Sequence, residues 1–302
     1  STSEGENLLE PGKSPKDNTQ FLLFLSAVIK AVDEYSDLLR VSVASAGNDH
    51  RLGANEAPPA IISMFLGDEL TSILESIEKG EEAHDTAKAF METGVLALPK
   101  FAKDTTDRNR TSPFAFTGNK FEFRSLGSTA SIAGPNIVLN TIVAEELEQF
   151  ADRLDKASDL TTEVLAIVKD TMQNHKRIIF NGNNYSDEWI EEAAKRGLPN
   201  LRTSVDAIPA FASEKSVALF EKHGIFSRAE VESRTEILLE GYAKTINIEA
   251  LTMLDMAKKE ILPAVLKYNK EVFKTLKVKQ DLGLNVSVEK EQSYAVKLSN
   301  LT

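Results

Sequence analysis

The chain contains no cysteine, and this absence excludes several kinds of chemistry at once. None of its 302 residues can form a disulfide, act as a thiolate nucleophile or bind a metal ion through sulfur. A chain without cysteine fits a reducing compartment, and we expect a cytoplasmic protein. Long apolar runs are also missing, since the longest, such as residues 21–29, are too short to cross a bilayer.

Positive charge is in short supply as well. The 35 Lys and Arg residues are outnumbered by 46 Asp and Glu residues, which gives a formal net charge of −11. A field of that sign disfavours nucleic acid and anionic membranes as partners, although a local cationic pocket can persist within it. The hydrophobic fraction of 42% is typical of a globular chain with a substantial core.

The hydrophobic pattern predicts an α+β fold. Apolar residues recur at helical spacing from a cap at Asp17 or Asn18 to about residue 40, and again over 68–78, 134–154 and 160–178. Short strands are predicted over 41–46, 61–66 and 114–124, and they should form part of a curved antiparallel sheet backed by helices. Residues 228–277 have an almost wholly helical pattern, which Pro263 should kink, so the carboxy-terminal half is predicted to be mainly helical.

A short charged strand is the first candidate for chemistry. In an extended chain Phe121 and Phe123 point one way, whereas Lys120, Glu122 and Arg124 point the other. A carboxylate between two cations can ligate Mg²⁺ or Mn²⁺ while the cations hold phosphate oxygens. The alternative is a solvated strand face with cross-strand ion pairs, since alternating charge opposite aromatic residues is common.

A loop predicted over residues 44–60 is the second candidate. Gly47 and Gly53 permit close approach of the backbone to a ligand, and Pro58 and Pro59 stiffen the exit. Its polar residues are Asn48, Asp49, His50, Arg51, Asn55 and Glu56. A mobile flap over a small anionic substrate has this composition, and so does an ordinary surface loop. His50 beside Asp49 is either a metal ligand or a surface histidine.

Four motifs, taken in order, resemble the glutamine synthetase family. Residues 48–58 resemble its loop with a substrate arginine followed by a Glu-Ala-Pro flap, and residues 108–110 resemble its Arg-Asn-Arg element. Residues 120–124 are similar to its Arg-x-Glu-x-Arg strand, and residues 5–9 to the Gly-x-Asn-Leu segment that follows its metal-binding histidine. Longer stretches, at 116–120, 127–142, 181–198 and 247–257, resemble the large bacterial type III branch.

The resemblance implies ATP-dependent amidation of glutamate by ammonium through γ-glutamyl phosphate, with Mg²⁺ or Mn²⁺. By resemblance, Arg51 binds the glutamate carboxylate, while Glu56 closes the site and accepts a proton from ammonium. Glu122 is one metal ligand. Arg110 and Arg124 stabilise the transferring phosphoryl group, and Lys120, with Arg110, contacts the nucleotide.

Three features depart from the family pattern. Lys120 replaces the usual arginine, so a planar guanidinium that can make two parallel hydrogen bonds is replaced by a compact ammonium group. Pro113, Phe114 and Ala115 occupy the region where the family has another arginine, and the stretch between Glu56 and Arg108 is longer than in compact members.

The resemblance also defines two regions. Residues 1–155 resemble the carboxy-terminal part of the catalytic domain, and residues 156–302 a type III-specific helical extension. The family's other metal ligands have no counterpart in this sequence. We therefore expect the isolated chain to be inactive, and the complete protein to form homo-oligomeric rings.

Two other interpretations stay open. The apolar arc of residues 248–266 must be buried in a core or against another chain, which favours a non-catalytic helical scaffold or oligomerisation module. The charged strand and loop are also compatible with another ATP-grasping ligase or a guanidino kinase on a related sheet.

Overall fold

The fold is α+β and mainly helical, with a small open sheet. The computed structural model describes residues 2–54, 57–81, 90–91, 101–102, 111–283 and 287–301 of the chain. The α-helices in that part are α1 (Thr19–Glu34), α2 (Ser36–Val41), α3 (Ala46–Arg51), α4 (Asp68–Lys79), α5 (Ala133–Leu154), α6 (Leu160–His175), α7 (Asp187–Lys195), α8 (Ser204–Ala207), α9 (Glu214–Lys222), α10 (Arg228–Met256), α11 (Leu262–Asp281) and α12 (Glu289–Leu301).

Several helix ends lie where the local residue types predict them. The Asn18 side chain accepts a hydrogen bond from the Phe21 N–H at 3.0 Å, so α1 begins with a side-chain cap. Ser186 caps α7 in the same way, and Gly80 ends α4 with a φ of 72°. A capping box precedes α10, because the Ser227 N–H donates to the Glu230 carboxylate at 2.8 Å and the Glu230 N–H donates to Ser227 Oγ at 3.4 Å.

The first helical region differs from the prediction in two ways. The single helix expected up to residue 40 is divided at Tyr35 into α1 and α2. The strand expected over 41–46 is absent, because α2 continues to Val41 and α3 starts at Ala46. The hydrogen bonds from the N–H groups of Val43 and Ala44 back to Arg40 and Val41 form turns and leave no ladder.

The main sheet has the order β1 (Met64–Phe65), β4 (Phe114–Phe116), β5 (Phe121–Phe123). Strands β4 and β5 form an antiparallel hairpin in which Ala115 lies opposite Glu122. Strand β1 pairs with β4 in parallel, so the sheet is mixed, whereas the prediction was antiparallel. A separate antiparallel pair joins β2 (Phe90–Met91) and β3 (Phe101–Ala102).

The core is built around α1, which packs against α5 and α6. Side chains of α1 such as Leu22, Leu25 and Ile29 are fully buried, and helix α4 covers another side of α6. The four phenylalanines of the hairpin's inner face, Phe114, Phe116, Phe121 and Phe123, pack in the same core. The sheet that bears the charged strand is therefore fixed to the largest apolar cluster of the described residues.

Two compact units divide the chain, Ser1–Glu240 and Gly241–Thr302. In the second unit α11 and α12 pack together, and the Asn269 side chain donates to Ser299 Oγ at 2.8 Å. The interruption expected at Pro263 takes the form of a π-helical segment, Ala257–Ile261, directly before the turn that holds this proline. None of the described helices is long and apolar enough to cross a membrane.

Candidate functional site

The β4–β5 hairpin presents the charged strand as the alternation predicts. Phe121 and Phe123 lie against Phe114, with ring centroids 5.0 and 5.8 Å away. The opposite face therefore carries Lys120, Glu122 and Arg124. Because the aromatic face is held in the core, the register of the strand fixes these three charged side chains on one surface.

Glu122 is surrounded by cations. Its Oε2 accepts hydrogen bonds from Arg124 Nη2 at 2.9 Å and Nε at 3.2 Å, so two donors of one guanidinium share a single carboxylate oxygen. Its Oε1 accepts from Thr117 Oγ1 at 3.3 Å and lies 3.8 Å from Lys120 Nζ. The hydrogen bond from Arg124 lowers the pKa of Glu122, so the carboxylate is ionised at neutral pH.

Arg51 lies beside the end of the same strand. Its Nη2 donates to the carbonyl oxygen of Arg124 at 3.3 Å, and its Nη1 donates to that of Ser125 at 3.4 Å. Nη1 also donates to Asn48 Oδ1 at 3.3 Å. The main chain of the charged strand and the guanidinium of Arg51 are therefore in direct contact.

Helix α3, which carries Arg51, lies where the sequence predicts a loop. Ser45 caps it by accepting from the Asn48 N–H at 3.2 Å. The buried Asn48 then donates to the carbonyl oxygens of Val43 and Ser125, at 2.8 and 2.9 Å. These bonds, one of them to main chain 77 residues away, stabilise a helical turn that the local glycine content does not favour.

After α3 the chain makes a tight turn. Gly53 has a φ of 77°, a conformation that favours glycine, and its N–H donates to the Pro58 carbonyl at 2.9 Å. Glu56 lies outside the described residues, as does the whole element of residues 108–110 with Arg110. The structure thus places Arg51 against the main chain of Arg124, and it pairs the side chains of Arg124 and Lys120 with Glu122. The roles assigned to all six residues stay predictions.

The amino-terminal motif docks on the same hairpin. Asn7 Nδ2 donates to the main-chain oxygen of Asn119 at 2.8 Å, and Asn119 Nδ2 donates to Glu10 at 3.3 Å. Both contacts fall on the turn between β4 and β5, next to Lys120. Two motifs separated by more than a hundred residues are therefore neighbours in the fold.

Sequence reasoning missed the buried partners of Asp49. Its Oδ1 accepts from Arg40 Nη2 at 3.0 Å and from Ser204 Oγ at 2.9 Å, while Oδ2 accepts from the Ser204 N–H at 2.6 Å. Burial lowers the pKa of Arg40, and the hydrogen bond to Asp49 opposes that shift. A carboxylate with these partners acts as a structural ion-pair partner, and no local signal at Asp49 pointed to residues so far along the chain.

A second missed cluster joins α5 to the end of α9. Among the described residues, Glu145, Glu148 and His223 form a group whose ligand atoms lie within 4.8 Å of one another. Lys222 Nζ already lies 2.8 Å from Glu145 and 3.1 Å from Glu148, and His223 Nε2 lies 2.8 Å from Glu145. Because an ammonium group supplies the compensating charge, we interpret this cluster as an ion-pair network between two helices.

Comparison with known proteins agrees with the motifs. Residues 163–280 match the family described as the glutamine synthetase C-terminal domain. A glutamine synthetase of Butyrivibrio fibrisolvens is 50% identical over 287 residues, covering 93% of this chain and 40% of that protein. A type-3 glutamine synthetase of Dictyostelium discoideum is 49% identical over 275 residues, covering 90% of this chain and 37% of that protein.

A third relative, a glutamine synthetase of Bacteroides fragilis, is 40% identical over 282 residues, covering 91% of this chain and 39% of that protein. The chain therefore spans about two fifths of the length of each relative. Residues 163–280 thus carry the glutamine synthetase C-terminal domain, and about nine tenths of the chain is similar to part of a glutamine synthetase. The similarity extends to a type-3 glutamine synthetase.

Proposed function

We propose that this chain is the part of a type-3 glutamine synthetase that supplies the glutamate-binding arginine and one wall of the phosphoryl-transfer site. The observation that supports this most directly is the contact of Arg51 with the main chain of Arg124, whose side chain pairs with Glu122. This contact joins two distant motifs that both carry charged groups, and binding of a small, multiply charged substrate requires such groups to lie close together.

Each residue has a specific task in this proposal. Arg51 binds the carboxylate of glutamate through its guanidinium, which is already aligned by three main-chain and side-chain oxygens. Arg124 stabilises the charge that spreads over the transferring phosphoryl oxygens, with Arg110 as its partner from the preceding element. Lys120, whose side chain is 65% exposed, is free to reach a nucleotide phosphate.

Glu122 is the proposed protein ligand for Mg²⁺ or Mn²⁺. It offers ionised carboxylate oxygens, the donor type that hard cations prefer, so the residues present fit one ligand of such an ion. A divalent ion bound there would neutralise phosphate charge during transfer. Glu56 is the proposed group that closes the site and takes a proton from ammonium.

We further propose that the isolated chain does not catalyse glutamine formation. A single described carboxylate is a small ligand set, and the chain covers about two fifths of its relatives. The proposal expects the intact mass of the native gene product to lie well above 33.2 kDa. It also expects no glutamine from the 302-residue chain in a colorimetric assay with ATP, glutamate and ammonium. Turnover close to that of a complete enzyme would contradict it.

Ligand binding tests the site itself. Titration of the native gene product with Mn²⁺ and ADP should show binding that L-glutamate strengthens and that Glu122→Ala abolishes. Glu192→Ala is the matched control. Glu192 lies in α7, outside the charged strand, and it also pairs with an arginine, Arg196. Its side chain is about as exposed as that of Glu122. Binding that survives Glu122→Ala would remove Glu122 from the proposal. Binding without any response to glutamate would favour another ATP-dependent ligase or a kinase.

A role in assembly is the second candidate, and it is compatible with the first. Apolar side chains on α10, including Ile248, Leu251 and Leu254, are half or more exposed. Exposed apolar surface of this density is typical of a face that contacts other helices. We propose that α10 and α11 contribute to contacts between subunits in a homo-oligomeric ring. Sedimentation of the native gene product tests this, and a monomer at micromolar concentration would contradict it.

A further inference from the structure

Helix α3 is attached to the carboxy-terminal family domain by a buried ion-pair network. Asp49 lies in α3, two residues before Arg51. Both oxygens of its carboxylate are used by Arg40 and Ser204, and the Ser204 residue is fully buried. Ser204 belongs to the stretch 163–280 that matches the glutamine synthetase C-terminal domain, whereas α3 precedes that stretch.

The same network includes the main chain on both sides of the contact. Arg40 Nε donates to the Leu201 carbonyl at 2.9 Å, and Nη2 donates to the Arg202 carbonyl at 3.4 Å. Its guanidinium therefore bridges the segment 201–204 and Asp49. The Arg40 side chain is 2% exposed and that of Asp49 is 10% exposed, so water cannot replace these bonds at low cost.

The attachment is specific in direction as well as in place. Ser204 presents a main-chain N–H and a side-chain hydroxyl to the two oxygens of one carboxylate, which fixes the rotation of Asp49 about its own side chain. Because α3 has only six residues, holding the Asp49 side chain also limits rotation of the helix about its axis. It thereby sets the direction in which Arg51 points. The guanidinium two residues later is thereby held against the carbonyl oxygens of Arg124 and Ser125.

We propose that Arg40, Asp49 and Ser204 are positioning residues for Arg51, so that the segment 201–204 of the carboxy-terminal domain sets the geometry of glutamate binding. This inference rests on the proposed function in one respect, namely that Arg51 binds the glutamate carboxylate. It assigns to the helical region a part in the substrate site, in addition to any role in assembly.

Ser204→Ala is the main test, because it removes one hydroxyl and leaves the main-chain N–H and the local helix intact. Loss of a hydrogen bond to a carboxylate should increase the opening of α3 roughly tenfold. Hydrogen–deuterium exchange of the amides over residues 46–51 in this chain should accelerate by that factor, while exchange in α6 stays unchanged. Ser216→Ala is the matched control, since Ser216 is equally buried in the same domain but donates to the Ala210 carbonyl.

Kinetics on the native gene product provide the second readout. Ser204→Ala should raise KM for glutamate about tenfold and leave KM for ATP unchanged, and Ser204→Thr, which keeps the hydroxyl, should restore part of the loss. Unchanged exchange over residues 46–51 would overturn the inference whatever the function. Faster exchange with an unchanged glutamate KM would reduce the network to a structural role and also overturn it. If the unmodified product shows no glutamate dependence at all, the proposed function fails, and this inference fails with it.

Discussion

Asn48 Nδ2 donates to the main-chain oxygen of Ser125 at 2.9 Å, across a separation of 77 residues along the chain. Asn48 is 1% exposed, and its second amide hydrogen is donated to the Val43 carbonyl. The side chain therefore joins α3, which carries Arg51, to the segment directly after β5, which carries Arg124. The carbonyl oxygens of Val43 and Ser125 cannot reach solvent to bond water unless one of these segments moves.

Substitution of Asn48 should be costly for stability. Asn48→Ala removes the donor to the buried Val43 and Ser125 carbonyl oxygens. The Ser125 oxygen keeps its contact with Arg51, whereas the loss at Val43 alone costs about 1–3 kcal/mol. We expect a lower midpoint in urea, by an amount that corresponds to at least the lower end of that range. Asn174→Ala is the control, because Asn174 makes one exposed bond to its own helix and should change the midpoint little. Equal midpoints for the two variants would contradict the assigned role.

The single tryptophan, in α7, reports on its packing against Phe180. Trp189 is 1% exposed and stacks on Phe180, with ring centroids 3.8 Å apart. Its emission should be blue-shifted and poorly quenched by acrylamide in the folded chain, and should shift to the red on unfolding. Red-shifted, fully quenchable emission in native buffer would show that this ring is not buried.

Gly182 packs closely against the Phe180 ring, so the same region should be sensitive to one added methyl group. A Cβ added there would lie 2.5 Å from Phe180 Cζ, and that ring is already stacked on Trp189. Gly182→Ala should therefore destabilise the fold by about 1–3 kcal/mol and change the Trp189 emission. Gly241→Ala, where a Cβ meets open space, should leave the emission unchanged.

Acid should weaken the network between α5 and α9. Burial raises the pKa of Glu145, but hydrogen bonds from Lys222, Gln149 and His223 outweigh it and hold that pKa at about 2. Because the folded-state pKa lies below the unfolded value near 4.5, this carboxylate stabilises the fold above pH 5. That contribution is lost as the pH falls from about 5 toward 2.

The measurement is the free energy of unfolding as a function of pH. Glu145→Gln should lower stability at pH 7 and flatten its decline between pH 5 and pH 2. Glu148→Gln removes a neighbouring carboxylate that is 52% exposed and serves as the control. An unaltered acid slope in Glu145→Gln would show that Glu145 does not carry this linkage.

The helical second unit should bind apolar dyes. Leu251 and Leu254 are 57% and 50% exposed, and Met253 between them is 66% exposed. The double substitution Leu251→Lys with Leu254→Lys should reduce dye fluorescence and self-association, while helicity is kept because lysine is a good helix former. Ser233→Lys adds charge to the same helix without removing apolar surface, and it should have little effect.

Local signals were sufficient for most helix ends and for the charged strand. Caps depend on a window of about four residues, so Asn18, Ser186 and Ser227 could be recognised without tertiary information. The alternation that places Glu122 and Phe123 on opposite faces of the strand also depends only on the two-residue period of a strand. These parts of the α+β fold were predicted correctly.

The parts that failed depend on contacts between distant residues. Helix α3 is stabilised by Asn48 and by Asp49, whose partner Ser204 is 155 residues away, so the composition of residues 44–60 indicated a loop. The parallel pairing of β1 with β4 likewise has no local signature, because it is set by the long connection between them. The apolar residues of α10 are exposed in the described chain, although their pattern predicted a buried face. Apolar content alone does not identify the surface that packs against them.

The parallel pairing of Met64 with Phe114 has a kinetic consequence. The hairpin can close early, since its turn spans only a few residues, but β1 can join it only after the whole intervening stretch has formed a loop. Closure entropy rises slowly with loop length, by about 0.6 kcal/mol for each doubling. Insertions between these strands should therefore be tolerated at little thermodynamic cost, while the surface that holds Arg51 against Arg124 assembles late in folding.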